Sequence, residues 1–176
     1  SLPSHHADNR AAAATVLPIF LCPSTETTDL LSSTGLWKGL ACADFAGAYG
    51  IEGLTRNRPP EEPPSLQWLR DDSLGIFLYD EAVAPRHVTD GLSKTVCVAE
   101  VVDRRETETE WVNGESIFAQ DELTPINVDR DPGNEIGSPH PGGASVAFCD
   151  SRVEFVSETV EQDVLNAMLT KAGGDP

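Results

Sequence analysis

A chain of 176 residues is long enough to bury a core as one domain, 1–176, and its 39% hydrophobic content lies within the globular range. The formal charge of −17, from 29 acidic and 12 basic residues, repels nucleic acid and anionic lipid and suits cations or cationic partners. No stretch approaches the roughly 20 apolar residues of a membrane span, because the longest apolar run, around Val16 to Cys22, is interrupted by Pro18.

In chain order, "HADNRAAAATVLPIFLCPS" offers Asp8 or Asn9 as the N-cap of a short helix through the alanines, stopped before Pro18. "IFLCPS" reads as a buried strand ending in a turn. Residues 25–65 are rich in Gly, Pro, Ser and Thr and predict irregular structure, with an extended loop at "TRNRPPEEPPS". "SLGIFLYD" is a short strand candidate. In "VTDGLSKTVCVAEVV", Asp90-Gly91 makes a turn and the β-branched run Val96 to Val101, apolar on both faces, predicts a central strand covered on both sides. "RRETETEWVNGES" alternates charge with Thr and Trp111, as a solvent-facing strand or exposed loop does.

The segment "HPGGASVAFCDSRVEFVSE" predicts a hairpin. A two-residue turn at Asp150-Ser151 sets Phe148 against Val153 and Val146 against Phe155, so that one face carries all four apolar side chains. Beyond it, Thr159 with Gln162 fits a capping box, and Val160, Val164, Leu165, Met168 and Leu169 recur at the spacing of an amphipathic helix of about three turns. Lys171 and Gly173 close that helix.

Cys22, Cys42, Cys97 and Cys149 are spaced too widely for a CxxC motif, which leaves disulfides or buried thiols. A Cys22–Cys42 bridge would close a loop of about 20 residues, worth on the order of 3 kcal/mol in an oxidising compartment. Asp129, Asp131, Asn134 and Glu135 cluster oxygen donors of the kind Ca²⁺ takes, but their spacing fails the EF-hand pattern, and a solvated acidic loop competes as the reading. Calcium is thus the one cofactor candidate. Zinc is disfavoured, since none of His5, His6, His87 and His140 pairs at ligand spacing. A nucleophilic site from Ser138 or Ser145 with His140 and Asp150 fails, because Ser145 begins a strand rather than a helix and a straight strand would hold His140 and Asp150 some 25–30 Å apart. Both residues read instead as turn residues, His140 before Pro-Gly-Gly and Asp150 capping its own turn. Trp37, Trp68 and Trp111 could stack on sugar rings but read first as partly buried core.

Three stretches carry a resemblance. "HPGGASVAFCDSRVEF" is similar to a pattern of His, nine residues and Asp-Gly; "VLPIFLCPS" resembles "lPvFLCPS"; "VTDGLSKTVCVAE" resembles "ITDGTSNTLMVGE". Together they identify the chain as a member of the planctomycete pilin-like family termed domain of unknown function 1559. Ser151, Lys94 and Ala99 depart from its usual Gly, Asn and Gly; a left-handed backbone at Ser151 would cost of order 1 kcal/mol.

The resemblance implies an α+β globular head of pilin or pseudopilin type, an antiparallel sheet with a C-terminal amphipathic helix and long irregular loops. It implies a noncatalytic structural subunit of a type IV pilus or type II secretion-like apparatus, extracytoplasmic, and here a fragment lacking the N-terminal hydrophobic helix that would contact the membrane and other pilin-like subunits. His140, Gly142, Gly143 and Asp150 become its structural motif, the isolated head is expected to be monomeric or weakly associating, and an oxidising location favours at least one disulfide. The alternative is a cell-surface binding module for a glycan, small solute or cation.

Overall fold

A computed structural model describes residues 5–25, 30–33, 35, 37–53, 71–79, 81–102, 110–114, 116–128 and 135–174. Short helices flank one sheet: α1 (Arg10–Ala13), β1 (Phe45–Glu52), β2 (Val96–Glu100), β3 (Ile117–Asp121), β4 (Gly143–Phe148), β5 (Val153–Ser157) and α2 (Gln162–Met168). The strand order is β3-β1-β2-β4-β5. The fold is α+β, but the sheet is mixed rather than antiparallel throughout, because β1 and β3 run parallel while the other three pairings are antiparallel.

The expectation of a central strand holds for β2, Val96–Glu100, which has two strands on either side, but its faces are not fully covered, since Cys97 and Val98 are only half-buried. Its partner β1 falls inside the stretch expected to be irregular. "FAGAYGIE" has low strand propensity, yet it is buried nearly throughout because the 71–79 segment crosses over it. Phe77 Cγ would lie 2.6 Å from a Cβ at Gly47, and Ser73 O occupies the space of a Cβ at Gly50, whose φ is +142°. Small residues are therefore required by the crossing, and the register with β3 shifts between Ala48 and Gly50. "IFLCPS" forms a 3-10 turn at Pro18–Phe20 rather than a strand. In "SLGIFLYD", Ser73 ends a 3-10 turn, Asp71–Ser73, and the described residues beyond it make isolated bridges at Leu74 and Leu78 rather than a strand.

The hairpin exists, but its register differs by one residue from expectation: Ala147 faces Val153, Val146 faces Glu154 and Ser145 faces Phe155. The cause is Ser151, at φ +74°. Its N–H bonds Phe148 O at 2.9 Å while Phe148 N–H bonds Arg152 O at 2.8 Å, so the loop holds three residues, a turn followed by a left-handed position. Asp150 Oδ1 accepts Arg152 N–H at 3.0 Å, the Asx bond expected of it. One step of register moves Val153 and Phe155 to the outer face, 68% and 54% exposed.

Ala144, Val146 and Phe148 enter a core with Ala46, Ala48, Ile51, Val96, Ala99, Phe118, Ile136, Leu165 and Leu169. Helix α2 spans seven residues rather than three turns and has no side-chain cap; Gln162 Nε2 instead donates to Asn166 Oδ1. Leu165 is buried from it, while Val164 stays exposed. Asp90 ties the following segment back to the β2 turn through Gly173 N–H at 2.7 Å. Among the described residues, no helix is long and apolar enough to cross a membrane.

Candidate functional site

The "HPGG" stretch turns sharply into β4. Gly142 has φ +92°, a conformation costly for any side-chain-bearing residue, and the following Gly143 is packed so closely that a Cβ there would meet Phe155 Cε1 at 2.9 Å. Two polar side chains hold the turn. Ser138 Oγ donates to Gly143 O at 2.6 Å and accepts His140 N–H at 3.1 Å. Asn127, itself at φ +65°, donates through Nδ2 to Gly143 O and Glu158 Oε2 and accepts Ser138 N–H at 2.8 Å.

This turn aims the His140 ring at two buried side chains from distant parts of the chain. His140 Nε2 lies 3.2 Å from Cys22 Sγ, 118 residues away, and 3.3 Å from Glu100 Oε1. One donor atom from each of the three lies within 4.8 Å of the others. Cys22 and Glu100 are sealed, whereas the His140 side chain is 29% exposed, with Phe155 edge-on to its ring. The backbone around the cluster fixes it: Ser145 N–H binds Glu100 Oε2 at 2.6 Å, and Cys22 N–H binds the buried Asp44 Oδ2 at 2.8 Å.

Such a constellation is not a nucleophile–base–orienter relay. In that arrangement the nucleophile and the carboxylate occupy opposite ring nitrogens, and here both sit at Nε2. Sulfur, imidazole nitrogen and carboxylate oxygen converging on one point are donors that could hold a metal ion.

The sequence-selected residues are distributed as follows. His140 and Asp150 stand at opposite ends of the β4 hairpin and do not meet. Ser138 and Ser145 serve the turn and Glu100 rather than a nucleophilic site. The Cys22–Cys42 bridge is absent: all four cysteines are free thiols, and the Cys22 sulfur is engaged by His140. Of the calcium candidates, Asp129, Asp131 and Asn134 lie outside the described residues, and Glu135 is buried. Trp68 also lies outside them; Trp111 stacks on Phe20 and Trp37 meets His5, so these two build separate packing contacts.

Sequence reasoning named Cys22 only as a disulfide candidate and missed Glu100, Asn127 and the grouping of Cys22, Glu100 and His140. The available signal was that "FLCPS", "TVCVAE" and "HPGG", each noticed separately, contribute one polar side chain apiece to the same spot.

The model of a family described as "Protein of unknown function (DUF1559)" matches residues 1–124 and 120–163. No curated protein matches the chain, and no solved structure does.

Proposed function

Because this chain belongs to the family described as a protein of unknown function, DUF1559, we propose that it is the single globular ectodomain of a pilin- or pseudopilin-like surface subunit, noncatalytic and working by assembly and display. The observation that carries this reading is the family match over nearly the whole chain, with its resembling stretches all used in building the sheet and its flanking turns. Convergence of thiol and carboxylate on one ring nitrogen supports a framework role over an acyl-transfer site. In this reading the full-length protein is extracytoplasmic and anchored by a hydrophobic N-terminal helix, through which it meets other subunits. The test is N-terminal sequencing of the full-length gene product from its own cells. Prepilin-type cleavage ahead of a retained hydrophobic helix supports the proposal; removal of an ordinary signal peptide overturns it.

A second reading, a binding module for a small solute or glycan, is favoured by one observation. A groove of about 530 Å³ between the hairpin tip and α2 is lined by Asp90, Lys94, Phe148, Arg152 and Met168, within the roughly 300–1,000 Å³ of small-molecule sites. Calorimetry across a solute and glycan panel, with Arg152→Ala as control, tests it; no heat across the panel removes it.

A further inference from the structure

We propose that Cys22, Glu100 and His140 bind one divalent transition metal of the zinc type, which clamps the N-terminal segment, β2 and the turn before β4 to a single ion. The argument begins with distances. Tetrahedral zinc, with bonds of about 2.3 Å to sulfur and about 2.0–2.2 Å to nitrogen and oxygen, holds its ligand atoms roughly 3.4–3.6 Å apart. His140 Nε2 lies 3.2 Å from the sulfur and 3.3 Å from the carboxylate oxygen. Two of the three separations are thus already near those an ion imposes, and the third, between the Cys22 sulfur and the Glu100 oxygen, lies within 4.8 Å.

Hydrogen bonding explains the arrangement less well. Nε2 carries at most one proton, so it can serve the sulfur or the carboxylate fully, but not both. A metal satisfies all three donors at once. The charges also close: a thiolate and a carboxylate, two negative groups held away from water, neutralise a divalent cation. Binding breaks the Cys22 S–H bond, and that proton leaves to solvent as the sulfur coordinates.

The surroundings are those of an oriented ligand set. Ser145 N–H holds Glu100 Oε2 and leaves Oε1 facing His140. Ser138 and Asp44 restrain the backbone at His140 and Cys22. Outer contacts of this kind are what fix ligand geometry. The donor chemistry selects the metal, because hard Ca²⁺ and Mg²⁺ want oxygen alone, whereas a sulfur–nitrogen–oxygen set suits zinc. The exposed edge of His140 gives the ion its way in and leaves a fourth position to water.

The experiment is a titration of the reduced, chelator-treated protein with Co²⁺ and then Zn²⁺. Expected are one equivalent bound, a thiolate-to-cobalt charge-transfer band, displacement by Zn²⁺ and a rise in Tm with Zn²⁺. Cys22→Ala abolishes the band. His140→Ala, at a partly exposed position and checked for folding by circular dichroism, weakens binding on the order of 100-fold or more, beyond the roughly 10–100-fold typical of outer-shell losses. The Cys97→Ala/Cys149→Ala double variant leaves binding intact. The proposal is overturned if no saturable equivalent binds, if folded His140→Ala binds like the parent, or if the band survives in Cys22→Ala and vanishes in the double variant. These outcomes are independent of the subunit's N-terminal processing.

Discussion

Cys149, just after β4, lies beside Cys97 in the neighbouring strand β2; the interaction of the two thiols, ahead of opposing burial, pulls the Cys97 thiol down to about 7 and pushes Cys149 up. Both are half-buried rather than sealed.

Cys97 is therefore expected to be the thiol most reactive toward iodoacetamide at neutral pH. At pH 7 about half of it is thiolate against roughly 1% for a thiol at its ordinary value, and the lower nucleophilicity of a more acidic thiolate offsets part of that gain. A net advantage of roughly five- to tenfold over an ordinary exposed thiol results. Rate against pH, read by peptide mass mapping, should rise with a midpoint near 7. Cys149→Ala should move that midpoint upward; an unchanged midpoint would mean that the interaction of the two thiols is not its cause.

Oxidation by glutathione disulfide should join Cys97 to Cys149, each losing a proton and an electron to the reduced glutathione formed. Disulfide mapping by mass spectrometry reads the pairing. A Cys22–Cys42 bridge as the main product would contradict the placement of Cys22 against His140.

Ser151→Gly should stabilise the protein. The left-handed backbone at φ +74° costs a serine about 1 kcal/mol, partly offset by the greater unfolded-state entropy of glycine. A net gain of about 0.5 kcal/mol corresponds to a rise in Tm of roughly 1–2 °C for a chain of this size. A fall in Tm would show that the turn does not hold that conformation.

Gly50→Ala and Gly47→Ala separate two kinds of crowding. At Gly50 a methyl meets the Ser73 carbonyl and Gly75 N, both backbone, at a positive φ, so a loss of about 3 kcal/mol or more in urea unfolding is expected. At Gly47 the obstacle is the side chain of Phe77, which is partly exposed and can swing aside, and about 1–2 kcal/mol suffices. Equal losses at the two positions would argue against the crossing described for residues 71–79.

The hairpin register can be read by two substitutions. Phe148→Ala, in the core, should cost about 3–5 kcal/mol, whereas Val153→Ala on the outer face should cost less than about 1 kcal/mol. Comparable losses would restore the register in which Phe148 and Val153 share the core.

Local chemistry made the C-terminal region the most legible. Alternating apolar residues around Asp150-Ser151 announced a hairpin, and Asp150 capped it as its side chain allows. The register escaped because the expected turn has two residues, whereas the left-handed Ser151 closes a loop of three, and one added loop residue reverses a strand's faces. Strand β1 escaped for a different reason: its alanines and glycines were selected by the segment packed over them, and that steric demand comes from elsewhere in the chain. The candidate metal ligands were invisible to spacing rules because each comes from a separate stretch, with Cys22 and His140 118 positions apart.

The parallel pairing of β1 with β3 also governs the order in which the chain can fold. Strand β1 ends at Glu52, but its neighbours arrive only with Val96 and Ile117, so its backbone groups wait on two long loop closures. The β4–β5 hairpin closes over a few residues and needs no such wait. Assembly is therefore expected to begin at the C-terminal hairpin, with β1, β2 and β3 joining through the longer closures. A ribosome-bound chain cut short before Gly143 would hold β1, β2 and the edge strand β3 without the hairpin expected to form first.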